Sequence, residues 1–145
     1  MQGKHVVITG PTAGIGRSSA LSLAADGADL TLLCRNADKA MALCQDIVAA
    51  GGSEPRVVLM DMAQLDSVRA AAEEVLALGR PIDVLLNNAG IVNTQRKETI
   101  DGFECMARTA FDGLQPDRKV RVTVQSVRTD ENGQRYRGVA IKTSP

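Results

Sequence analysis

Three glycines crowd into the eight residues Thr9-Gly10-Pro11-Thr12-Ala13-Gly14-Ile15-Gly16, between an apolar run and a helical pattern. A turn of this kind lets backbone N–H groups at a helix N-terminus close around a pyrophosphate. Gly10 permits the tight turn, Gly14 leaves room where phosphate oxygens come close, and Gly16 lets the helix pack on the strand. Thr12 and Ile15 belong to the same turn and are counted with it as cofactor contacts. Further on, Cys34-Arg35-Asn36 stands where a site for an unphosphorylated ribose would carry an acid to accept from the 2′-hydroxyl. Arg35 is a cation instead, and its planar fork suits a 2′-phosphate; Arg17 is expected to add positive potential. Asp61 is placed to accept from an adenine amino group, with Met62 packing near the ring. In Asn87-Asn88-Ala89-Gly90, small residues let a ribose approach backbone while the paired amides bridge strand ends.

These residues need a scaffold, and the hydrophobic pattern predicts one. His5-Val6-Val7-Ile8, Leu30 to Cys34, Arg56 to Met60 and Ile82 to Leu86 read as buried strands. Between them lie three helical patterns. The first runs from Ile15 to Asp26, with Ile15, Ser19, Ala20, Leu23 and Ala24 on one face and Gly27 as the stop. The second is capped by Asn36 and buries Ala40, Cys44, Ile47 and Val48; the third buries Leu65, Val68, Ala72, Val75 and Leu76. Strands alternating with amphipathic helices imply crossovers, hence a doubly wound, Rossmann-type α/β fold: an incomplete parallel sheet between two helical layers.

With 145 residues, 44% apolar and 23% charged, the chain has the composition of one ordinary globular domain. Its apolar runs fall short of a bilayer span, and Met1 to Lys4 lead straight into a strand, which predicts no signal peptide and no anchor. Cys34, Cys44 and Cys105 are odd in number and His5 is the single histidine. Neither a disulfide framework nor a metal cluster is expected, and a reducing cytoplasm is the expected compartment. Formal net charge is zero but unevenly spread: residues 1–117 carry 10 basic and 15 acidic side chains, residues 118–145 carry 7 and 2. The expected division is therefore 1–117 as an NADP-binding half-domain and 118–145 as a basic β-hairpin packed on it. A basic tail can bind nucleic acid, but Tyr136 is its single aromatic for stacking, which argues against that partner.

From Lys4 to about Glu104 the sequence resembles the short-chain dehydrogenase/reductase family. The TGxxxGxG turn at Thr9 to Gly16, the Asp61-Met62 pair and the NNAG run at Asn87 to Gly90 occur in the family's order, and Arg35 occupies its NADP-selecting position. Thr99-Ile100-Asp101-Gly102-Phe103-Glu104 is similar to the branch containing the retinol dehydrogenases. The resemblance implies an oxidoreductase using NADP(H) on a small carbonyl or alcohol, with cofactor contacts at Gly10, Thr12, Gly14, Ile15, Gly16, Arg35, Asp61, Met62, Asn88, Ala89 and Gly90. Self-association is left open.

After Glu104 the chain departs from the family, which continues to a catalytic Ser and a helix bearing Tyr-x-x-x-Lys. Ser126, Tyr136 and Lys142 are the candidates here, but Tyr136 and Lys142 are spaced i and i+6 rather than one helical turn apart. A second reading is thus a non-catalytic NADP(H)-binding module. Asn132-Gly133 signals a two-residue hairpin turn that pairs Val124 with Ile141 and Ser126 with Val139, at the cost of setting Arg128 opposite Arg137. The strand from Lys119 to Val127 is expected to pair beside Ile82 to Leu86, because an apolar parallel edge needs cover.

Overall fold

The structure, a computed structural model, describes residues 1–91 and 98–102 with their side chains, and the backbone of 120–121, 127–129, 135–137 and 142–143. Two units divide the chain, Met1–Asp112 and Gly113–Pro145, and each is taken by itself.

In the first unit the elements follow as β1 His5–Thr9, α1 Gly14–Ala25, β2 Asp29–Cys34, α2 Ala37–Ala49, β3 Arg56–Leu59, α3 Leu65–Leu76 and β4 Val84–Leu86. All four strands are parallel, in the order β3-β2-β1-β4, with Val6 opposite both Leu30 and Val84. Side-chain alternation along β1 and β2 builds two cores. Val6, Ile8, Leu30 and Leu32 face Ala20, Ala24, Leu43 and Ile47 of α1 and α2, whereas Val7, Leu33 and Val58 face Ala71 and Val75 of α3. This is the doubly wound, three-layer arrangement expected of the pattern. The chain steps outward from β1 to β2 to β3 and then crosses to the far side of β1, so the order in which strands are added reverses between β1 and β4. Such a switch point leaves a crevice at the carboxyl ends of the two strands.

The helix faces differ in part from the sequence reading. Ile15 is 67% exposed, and the helix packs instead through Gly16, Ala20 and Ala24. On α2, Leu43 takes the buried place expected for Val48, which is 49% exposed. On α3, Ala71 replaces Leu76, which is 67% exposed. Rows i+3 and i+4 are equally available on a helix; which row faces the sheet is set by crossing geometry that periodicity does not contain.

In the second unit, β5 Val120–Arg121 pairs antiparallel with β8 Lys142–Thr143, and β6 Val127–Thr129 with β7 Arg135–Arg137. The register is not the expected one. Val127 stands opposite Arg137 and Arg128 opposite Tyr136, while Val120 stands opposite Thr143. Moving Arg137 off Arg128 avoids a like-charge cross-strand pair. It also leaves an odd number of residues between the paired ends Thr129 and Arg135, which a two-residue Asn132-Gly133 turn does not accommodate. Val124, Ser126, Val139 and Ile141, and the Asn-Gly turn itself, lie outside the described residues. The expected strand beside β4 is also corrected: among the described residues the sheet order ends at β4, and those of the Lys119 to Val127 segment pair with β7 and β8.

Candidate functional site at the switch point

The carboxyl ends of β1 and β4 are stitched together by side chains. Asn88 Nδ2 donates to the carbonyl oxygens of Thr9 (3.1 Å) and Gly10 (3.0 Å), and Thr9 Oγ1 accepts from the backbone N–H of Asn88 (3.1 Å) and Ala89 (3.0 Å). Thr9 was not singled out by sequence reading as an anchor, yet it ties the glycine-rich turn to the residues after β4. The two amides of the pair behave differently. Asn88 bridges the strand ends as expected, whereas Asn87 Nδ2 is buried and has no acceptor in the described structure. Replacing Asn88 by Ala removes two donated bonds from a half-buried seam. We expect a loss of about 1–3 kcal/mol of unfolding free energy, measured by urea titration.

Close packing explains why this seam needs small residues. A Cβ at Gly10 would lie 2.8 Å from Ala89 Cα, and Gly10 has φ +63°. A Cβ at Gly16 would lie 2.3 Å from the Gly10 carbonyl oxygen and 2.4 Å from Asn88 Nδ2. Gly14 is different: its φ is +52°, and a Cβ there would meet nothing within 4 Å. The turn is therefore tight on its protein side and open at Gly14. The N-terminus of α1 is capped by no side chain, its N-cap position being Ala13, so its first-turn N–H groups remain donors for an external acceptor. By contrast α2 is closed by Asn36, whose side chain accepts from Lys39 N at 2.8 Å as the sequence predicts. Thr12 is half-buried in the same turn, and Ile15 stands exposed beside it.

Arg35 follows β2 directly and is exposed, with no ion pair among the described residues; Lys39, four residues on, is likewise exposed and unpaired. Arg17 is not a free charge, because it pairs with Asp46 on α2. Burial pushes the Cys34 thiol above its ordinary pKa, partly offset by a hydrogen bond from the Asn36 backbone. Cys34 is thus a neutral neighbour of Arg35 rather than a nucleophile. At the end of β3, Asp61 Oδ1 accepts from Ala63 N at 2.9 Å, and Asp61 N donates to Ser67 Oγ at 2.9 Å. Among the described residues its other carboxylate oxygen meets Gln64 Nε2 alone, at 3.5 Å, and so retains accepting capacity. Met62 packs against the core beside Val7 and Val58. Gly90 is exposed at the rim.

An uncapped helix start, an open glycine, an exposed cation after β2 and a carboxylate after β3 all converge on the carboxyl end of one parallel sheet. Residues 4–114 match the short chain dehydrogenase family. The chain belongs to that family. Mouse retinol dehydrogenase 11 is 38% identical over 105 residues, covering 72% of this chain and 33% of that protein. Among solved structures, a metagenomic short-chain oxidoreductase in complex with NADP is 40% identical with a TM-score of 0.58, covering 62% of this chain and 40% of that one. An alcohol dehydrogenase from Thermococcus sibiricus complexed with 5-hydroxy-NADP is 29% identical with a TM-score of 0.64, covering 75% and 47%. The chain spans about a third of the length of the curated relatives it matches.

The catalytic candidates are not brought together in this way. Tyr136 lies in β7 opposite Arg128, and Lys142 lies in β8 opposite Arg121, in a different two-stranded pair. They do not share a helix turn, and Ser126 lies outside the described residues. Among the described residues, no cluster of side chains suits a metal ion and no helix is long and apolar enough to cross a membrane.

Proposed function

We propose that this chain carries the adenosine and pyrophosphate half of an NADP(H) site belonging to a short-chain oxidoreductase that acts on a carbonyl or alcohol. The observation that carries the choice of cofactor is Arg35: an exposed guanidinium immediately after β2 with no ion pair among the described residues, where a ribose 2′-phosphate can accept both of its parallel N–H bonds. Pyrophosphate oxygens are the acceptors that the uncapped first turn of α1 lacks, and open Gly14 leaves them room. Asp61 would accept from the adenine amino group, and Ala89 and Gly90 would let the ribose approach backbone. When bound, the dinucleotide supplies the hydride; the residues described here bind and orient it.

The similarity to retinol dehydrogenase 11 supports a carbonyl or alcohol substrate, with a lipid-like one as the finer reading. No proton donor is assigned to this chain, because Tyr136 and Lys142 do not stand one helical turn apart. Positioned acid catalysis contributes about 10²–10⁴-fold, so the isolated chain should oxidise NADPH slowly or not at all over a panel of aldehydes and ketones. Tyr136→Phe should leave that rate unchanged. Fast turnover abolished by Tyr136→Phe would show that the tail supplies the acid.

A further inference from the structure

The segment Thr99-Ile100-Asp101-Gly102 has no part in the site as described so far. It forms a turn closed by Gly102 N donating to the Thr99 carbonyl at 3.0 Å, with Gly102 at φ +80° and Thr99 buried to 8% exposure. The turn presents Asp101 to another element. Asp101 Oδ2 accepts from the backbone N–H of Leu65, the first residue of α3, at 3.0 Å. That N–H has no partner within its own helix, because the first-turn donors of any helix are left over. The N-cap residue Gln64 forms no side-chain capping bond, and Asp66 in the first turn is engaged with Arg69. A carboxylate 36 residues away thus performs the capping that the local sequence omits.

The same stretch of backbone controls Asp61. Between Asp61 and Leu65 lie three residues, of which Ala63 N holds Asp61 Oδ1 and Gln64 N donates to the Asp61 carbonyl at 3.1 Å. Asp61 fastens this loop from the β3 side and Asp101 fastens its far end. We propose that Asp101 is a positioning residue for the adenine end of the cofactor site, acting through the first turn of α3 on the orientation of the Asp61 carboxylate. The inference rests on the dinucleotide reading given above, and it adds a specificity role to the Thr99 to Gly102 turn.

The test compares NADPH with its hypoxanthine counterpart, which lacks the exocyclic amino group that Asp61 would meet. Both are titrated against the wild-type chain, Asp101→Ala and Asp101→Asn. Asp101→Ala should weaken NADPH by roughly 2- to 13-fold, the worth of one hydrogen bond, and leave the hypoxanthine dinucleotide almost unchanged. Asp101→Asn keeps an oxygen to accept from Leu65 N–H and should restore most of the preference for adenine. Asp101→Glu retains the charge but moves the acceptor by one methylene; it should shift the preference in the same direction by less, and serves if the alanine variant does not fold. Equal weakening of both dinucleotides would indicate a merely structural cap and overturn the inference, as would an unchanged preference in all three variants. A wild-type chain that binds neither dinucleotide overturns the cofactor reading, and this inference with it.

Discussion

Gly16→Ala should weaken cofactor binding by orders of magnitude and destabilise the fold, although it adds a single methyl group. The new Cβ would sit 2.3 Å from the Gly10 carbonyl oxygen and 2.4 Å from Asn88 Nδ2, and neither neighbour can retreat cheaply. The Gly10 oxygen is backbone, and Asn88 is held by Thr9 and Gly10. The start of α1 must therefore move off the β1–β4 seam, at a cost of about 1–3 kcal/mol or more for an overpacked site. Its N–H groups move with it. Losing two charge-assisted bonds to a pyrophosphate, each worth about 1.5–3 kcal/mol, corresponds to roughly 10²–10⁴-fold weaker NADPH binding. Gly14→Ala separates fold from ligand: a Cβ there meets no protein atom, so folding bears only the strain of the positive φ, about 1–2 kcal/mol, while the methyl fills the room left for phosphate oxygens. Thermal unfolding and NADPH fluorescence of both variants check this. A Gly16→Ala chain that binds as well as wild type would show that α1 does not dock as described.

Arg35→Ala should lower affinity for NADPH by roughly 10- to 150-fold and leave NADH almost unchanged, the worth of a charge-assisted phosphate contact of about 1.5–3 kcal/mol. Arg35 is exposed and has no ion pair among the described residues, so its removal breaks no bond there and melting should hardly respond. Arg17→Ala should have a much smaller effect on the phosphate, because Asp46 already compensates that charge. The difference between the two arginines separates a specific contact from general positive potential. Equal loss for both cofactors in Arg35→Ala would remove the 2′-phosphate assignment.

Much of the scaffold was legible in the sequence because it depends on short-range rules. The Asn36 cap is local chemistry, readable from a polar residue before a helical pattern, and it forms. The four parallel strands follow from β-branched runs joined by crossover-length helices. The glycine-rich turn was legible too, since a positive φ and the need for a small residue both select glycine. What escaped depends on partners far along the chain. Thr9 anchors Asn88 across 79 residues and Asp101 caps α3 across 36, and neither carries a spacing that predicts its partner. Val48 and Leu43 fit the helical period equally well, and only the packing of α2 on the sheet decides between them. In the second unit the local Asn-Gly turn rule and the opposition of Arg128 to Arg137 pulled in different directions, and the observed register follows the charges.

On the function proposed above, the carboxyl end of this sheet is built for a 2′-phosphorylated dinucleotide. Titration of the purified wild-type chain with NADPH and with NADH, followed by the change in nicotinamide fluorescence at fixed ionic strength, tests it most directly. The account predicts saturable binding of both, with NADPH tighter by about the roughly 10- to 150-fold expected of one guanidinium–phosphate contact. Equal affinity for the two, or tighter binding of NADH, would contradict it.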